Sequence, residues 1–116
     1  MISPNRSRVY LALGATDMRK AINGLSILVA DILKQDPFSG HIFAFCNRRQ
    51  NIIKALYWDR NGFCLWSKRL EKNRFAWPMS KEEVKQVDMR QFLWLLDGLS
   101  VEQKHAHKKL SYSLIF

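Results

Sequence analysis

A chain of 116 residues has the length of one domain with a modest core. Its 47% hydrophobic content excludes a disordered chain, and no apolar run approaches the roughly 20 residues that cross a bilayer. Nineteen Lys and Arg against ten Asp and Glu leave a formal charge of +9, which points to an acidic partner: nucleic acid, an anionic membrane or an acidic protein.

In chain order, Arg8 to Leu13 alternates loosely in strand formers and stops at Gly14. Thr16 and Asp17 are suited to cap a helix, because their side-chain oxygens accept unpaired amide hydrogens. Apolar residues at Met18, Ile22, Leu25, Val29 and Ile32 then recur at spacings of four and three, one face of an amphipathic helix. Pro37 disfavours a helical residue before it, so that helix is expected to end near Gln35, before the turn Asp36-Pro37-Phe38-Ser39-Gly40. Three strands are predicted next, over 41–46, 52–59 and 63–70, with a polar basic connection over 47–51. Asn61-Gly62 predicts a two-residue hairpin loop between the last two, since both residues tolerate positive φ. That loop sets Lys54 opposite Arg69, a like-charge pair that solvent, a carboxylate or a bound anion would have to offset. Val84 to Val87 fits a short edge strand, and Asp88 with Gln91 fits a capping box. Phe92, Leu93, Leu95, Leu96 and Leu99 form an apolar helix face with Gly98 as its stop, and Trp94 off the stripe is a candidate protein contact. The expected fold is α+β: a small antiparallel sheet of three to five strands, with two helices on one face. Residues 1–99 form the single domain, and 100–116 a tail expected to be irregular or partly disordered.

Residues 48–77 carry the chemistry. Eight cations stand there against Asp59 and Glu71, threaded with Tyr57, Trp58, Phe63, Trp66, Phe75 and Trp77. Cations among rings suit a polyanion with flat faces, which describes nucleic acid. The candidate contacts are Arg48, Arg49, Lys54, Lys68, Arg69, Lys72 and Arg74. A half-buried sheet explains Tyr57, Trp58 and Trp66 equally well as packing, but it explains the one-signed charge poorly. Arg19 and Lys20, in a helix's first turn, oppose its dipole unless partnered, and Asp17 is the simplest partner.

No catalytic centre is expected. Asp17, Asp36 and Asp59 have simpler jobs as cap, turn and hairpin end, whereas a two-metal nuclease needs converging carboxylates. No glycine-rich loop cradles phosphate, and His105 and His107 in a basic tail make a weak metal site; no metal or cofactor is predicted. Cys46 and Cys64 are too few and too far apart for a disulfide framework or a zinc knuckle. The N-terminal segment has no hydrophobic region long enough for a signal peptide, so a cytoplasmic protein is expected, associated with the nucleoid when bound to DNA.

Several ordered motifs carry a resemblance. Thr16-Asp17-Met18-Arg19-Lys20, Asn23-Gly24-Leu25 and Asp36-Pro37-Phe38-Ser39-Gly40 come first. Phe45-Cys46-Asn47-Arg48-Arg49, Lys54-Ala55-Leu56-Tyr57-Trp58-Asp59, Gly62-Phe63 to Trp66, Lys68-Arg69-Leu70-Glu71-Lys72, Arg74-Phe75 and Trp77-Pro78 follow. Together they resemble the Orf2-like accessory proteins, called TnpB, of the insertion-sequence-sixty-six family of bacterial transposons, over roughly residues 8–99. The chain departs from the family pattern at Ala21, Gln50 and Ser67, where a glycine, a basic residue and an aromatic are common. The resemblance implies a role in transposition beside a separate DDE-type transposase and another small accessory protein. A non-catalytic DNA-binding factor acting at the element's ends or the target is the leading expectation. The alternatives are an adaptor that docks on the transposase without touching DNA, and a nuclease.

Overall fold

A computed structural model describes residues 8–102 of the chain. Seven elements follow one another: β1 (Val9–Ala15), α1 (Ile22–Asp31), β2 (Ile42–Cys46), β3 (Ile52–Asp59), β4 (Gly62–Arg69), β5 (Val84–Val87) and α2 (Met89–Leu96). The strands form one sheet in the order β4-β3-β2-β1-β5. The expected tail beyond residue 102 lies outside the described residues.

The α+β class holds, and two details differ from the expectation. The sheet is mixed: β1 and β2 run parallel, with Val9 beside Ile42 and Leu11 beside Ala44, while every other pairing is antiparallel. The helices cover opposite faces. Leu25, Val29 and Leu33 of the α1 region pack on Tyr10, Ala12, Phe43, Phe45 and Leu56. Phe92, Leu95 and Leu96 of α2 pack on Val9, Leu11, Ile42, Ala44, Ile53 and Ala55. Side chains alternate between faces along a strand, so a strand covered on both sides must be apolar at every position. All five residues of β2 are buried, as are the first five of β1. A parallel neighbour requires a crossover, and α1 supplies it over one face; α2, entered from the edge strand β5, closes the other.

The starts and stops are chemical. Residues 17–20 form a turn before α1: Asp17 Oδ1 accepts the Arg19 amide hydrogen at 2.9 Å, and its carbonyl accepts that of Lys20 at 3.1 Å. The helix therefore begins at Ile22, after Ala21, and not at Met18. Leu33, beyond the last helical turn, completes its buried stripe, leaving Ile32 46% exposed. In α2 the capping box forms as expected: Gln91 N donates to Asp88 Oδ1 at 2.8 Å, and Asp88 N donates to Gln91 Oε1 at 3.0 Å. Gly98, at φ +85, ends the helix, because a Cβ would strain that conformation. Leu99 N then reaches Trp94 O at 2.8 Å, and Gly98 N reaches Leu95 O at 2.9 Å.

The hairpin register differs from the prediction by two residues. Arg60 and Asn61 form the loop, and Asp59 pairs with Gly62, so Lys54 faces Ser67 and Arg69 faces Ile52. Arg60 takes the left-handed conformation at φ 53, and Asn61 N donates back to Asp59 O. Gly62 is thereby released into the strand. The like-charge pair across the ladder does not exist. A two-residue slip leaves each side chain on its expected face.

Candidate nucleic-acid interface

The sheet brings two of the basic segments together. The β2–β3 turn is built on Asn47, whose Oδ1 accepts amide hydrogens from Asn51 and Ile52 at 2.9 and 3.0 Å. Gln50 turns the chain at φ 61. Arg48 and Arg49 are left exposed at the tip. The segment leaving β4 runs back along this turn: Leu70 N donates to Asn51 O at 2.8 Å and Phe75 N to Gln50 O at 2.7 Å. Between those two anchors Lys72 and Arg74 are exposed, with Asn73 at φ 69 in a second tight turn. Trp77 fixes the far side of this segment, donating its indole hydrogen to Ala12 O at 2.9 Å inside the core.

The seven candidate residues divide in use. Lys54 is tied down: its Nζ donates to Met18 O at 2.8 Å and Lys20 O at 3.2 Å, holding the approach to α1 against the sheet. Lys68 caps a helix, its Nζ donating to Leu96 O at 2.7 Å, where α2 leaves carbonyls unpaired and its dipole favours a cation. Arg69 is exposed but shares Glu71, with Nε 3.0 Å from Oε2. Among the described residues, Arg48, Arg49, Lys72 and Arg74 have no carboxylate within ion-pair distance. These four form one exposed basic end.

The Asp17–Arg19 partnership is present as a fork, with Arg19 Nε 3.0 Å from both carboxylate oxygens and Nη2 2.7 Å from Oδ2. The Arg19 side-chain and backbone hydrogen bonds hold the Asp17 carboxyl at about 2, well below its usual range. Lys20, read from sequence only as a helix-start cation, is exposed at the same end, because Lys54 binds its carbonyl and Thr16 N bonds Cys46 O just before the β2–β3 turn. A tertiary link of this kind leaves no local sequence signal.

The rings go elsewhere. Phe38, Trp58 and Phe63 meet at the hairpin-loop end, with centroids 5.0 Å apart for Phe38–Trp58, 5.2 Å for Phe38–Phe63 and 5.0 Å for Trp58–Phe63. Phe75 and Trp77 are core residues, and Tyr57 and Trp66 pack against the α2-side core. Trp94 is half-buried, while its neighbour Leu93 is 47% exposed. The carboxylates do not converge: Asp17 is held by Arg19, Asp36 accepts the Phe38 amide hydrogen at 2.9 Å, and Asp59 closes the hairpin. Burial pushes the Cys46 thiol up to about 12, which keeps it protonated and unreactive.

Residues 7–106 match the model of the IS66 Orf2 like protein family. The chain belongs to that family. Two relatives from Sinorhizobium fredii, the uncharacterized proteins y4hO and y4jC, are each 36% identical to it. The first match covers 79% of this chain and 80% of the relative, the second 85% and 86%. No solved structure matches. Membership makes this IS66 Orf2-like chain an accessory component of transposition, in a family not known for catalysis. Among its described residues no helix is long and apolar enough to cross a membrane.

Proposed function

We propose that this IS66 Orf2-like protein is a non-catalytic DNA-binding accessory factor, assisting a separate transposase by holding phosphates at the element's ends or the target. The observation that carries the reading is the basic end: Arg48, Arg49, Lys72 and Arg74, exposed on two hydrogen-bonded loops and without carboxylate partners among the described residues. Arginine forks fit phosphate bidentately and lysine adds a point charge. Lys20 and Arg69 flank the set. Lys54 and Lys68 leave it, because their ammonium groups are engaged with backbone carbonyls.

Binding to DNA across a salt series tests the reading. Neutralising four phosphates gives a slope of log affinity against log salt of about −3 to −4. A flat slope, or no binding in low salt, overturns direct contact. Co-purification with the transposase from nuclease-treated extract, combined with indifference of the isolated protein to DNA, would establish the adaptor instead.

A further inference from the structure

We infer that the basic end takes duplex DNA through its phosphates, without base stacking and with little regard for sequence. The inference rests on the DNA-binding reading and adds the form of the nucleic acid. Proteins that hold single strands combine a basic groove with exposed rings on which successive bases stack. This end has the cations without the rings. Among the described residues Phe38 is the one exposed aromatic, at 58%, and it sits in the ring cluster with Trp58 and Phe63. That cluster and the basic end are separated by the length of β3, Ile52–Asp59. Eight strand residues at about 3.4 Å each put roughly 25 Å between them, too far for a nucleotide to touch both. The rings nearest the cations in sequence, Phe75 and Trp77, are 1% and 5% exposed and cannot offer a face. Met79, 76% exposed beside Gln50, has no flat face for a base.

What remains suits a regular array of phosphates. The cations occur as two short pairs, Arg48 with Arg49 and Lys72 with Arg74, on turns fixed by the Gln50 and Asn51 carbonyls. Turns held this way lose little freedom on binding. A duplex presents phosphates at higher density than a flexible single strand and needs no unstacking. Phosphate contacts position a protein without reading bases.

The test compares the full-length chain on a duplex of arbitrary sequence, on each of its separated strands and on a duplex carrying the element's end. The expected result is affinity for duplex at least about fivefold above either strand in low salt, steepening with salt dilution because the duplex slope per contact is near −0.9 against −0.7 for single strands. Arbitrary and element-end duplexes should agree within about threefold. Phe38→Ala should leave every affinity unchanged, whereas Arg48→Ala with Arg49→Ala should weaken duplex binding and flatten its slope by up to about two units. Equal or tighter binding to single strands, or dependence on Phe38, overturns this inference and leaves DNA binding standing. Binding to neither form removes both.

Discussion

At one end of the sheet Arg48, Arg49, Lys72 and Arg74 stand exposed on two loops joined by backbone hydrogen bonds; at the other, Phe38, Trp58 and Phe63 close on one another. In the sequence these chemistries, Phe38 apart, run through a single ribbon from residue 48 to 77. Folding sorts them, because β3 and β4 each span eight residues and carry their two termini to opposite ends. Alternating faces sort them again. Lys54 and Lys68, which the ribbon counts as contacts, point to opposite faces, one toward the approach to α1 and one toward the end of α2. A cation-and-ring stretch in sequence is therefore not one surface, and what the two ends do can be separated by substitution.

The largest effect should follow from replacing Arg48, Arg49, Lys72 and Arg74 together by alanine. Four phosphate contacts at a slope near −0.9 each amount to roughly a hundredfold change in affinity between 50 and 200 mM salt, and the quadruple variant should lose that dependence altogether. Stability should hardly move, since exposed substitutions shift it by about 0.5 kcal/mol or less each. Fluorescence anisotropy across salt and a urea melt read the two quantities. Retained salt-dependent binding would break the assignment of DNA to this end.

The mirror experiment is Trp58→Ala. Removing the ring takes away two edge-on contacts, each contributing about 0.5–1.5 kcal/mol beyond burial, so an overall loss of about 2–3 kcal/mol is expected for this half-buried side chain. DNA affinity measured well below the midpoint should stay within about twofold of the parent, corresponding to less than about 0.5 kcal/mol. Weaker binding by a folded Trp58 variant would mean that the two ends act together.

Lys54→Met and Lys68→Met come next in size. Each keeps the aliphatic stem and removes a charged donor from backbone carbonyls, and losing such a bond costs about 1–3 kcal/mol. The salt slope should stay as it was. A slope reduced by a full unit in either variant would return that lysine to the contact surface.

What was legible in the sequence was local. The polar connection before it and Asn61-Gly62 after it marked Ile52–Asp59, the Asp88–Gln91 spacing marked the capping box, and the isolated valines marked β5 at the edge. The hairpin's existence was legible too, yet Asn61-Gly62 could not say which two of residues 59–62 would form the loop; Arg60 accepting positive φ moved the register by two. The parallel pairing of β1 with β2 and the second covered face depend on contacts between distant segments. The unbroken apolar runs of β1 and β2 hint at them, since a strand open to water on one side would alternate. The roles of Lys54 and Lys68 were hidden for the same reason: their acceptors lie 36 and 28 residues away. Four of the seven candidate contacts stay exposed, without an ion-pair partner among the described residues, because tips and connections escape such tertiary use.

Asp17 sets the finest adjustment of the basic end. Its carboxylate holds Arg19 in a two-point fork and, with a pKa near 2 against an ordinary 3.8, is ionised throughout the physiological range. A depressed carboxyl contributes stability that is fully present above the unfolded value near 3.8 and is lost as pH falls toward 2. The parent should therefore lose a small increment of stability between pH 4 and 2 that Asp17→Asn does not lose, visible as converging melting temperatures at the acid end. At neutral pH the same variant frees the Arg19 guanidinium beside Lys20. If that charge lies within reach of the phosphates held by Arg48 and Arg49, duplex affinity should rise and the salt slope steepen by up to about one unit. An unchanged slope would confine the contact surface to the two loops and leave the approach to α1 outside it.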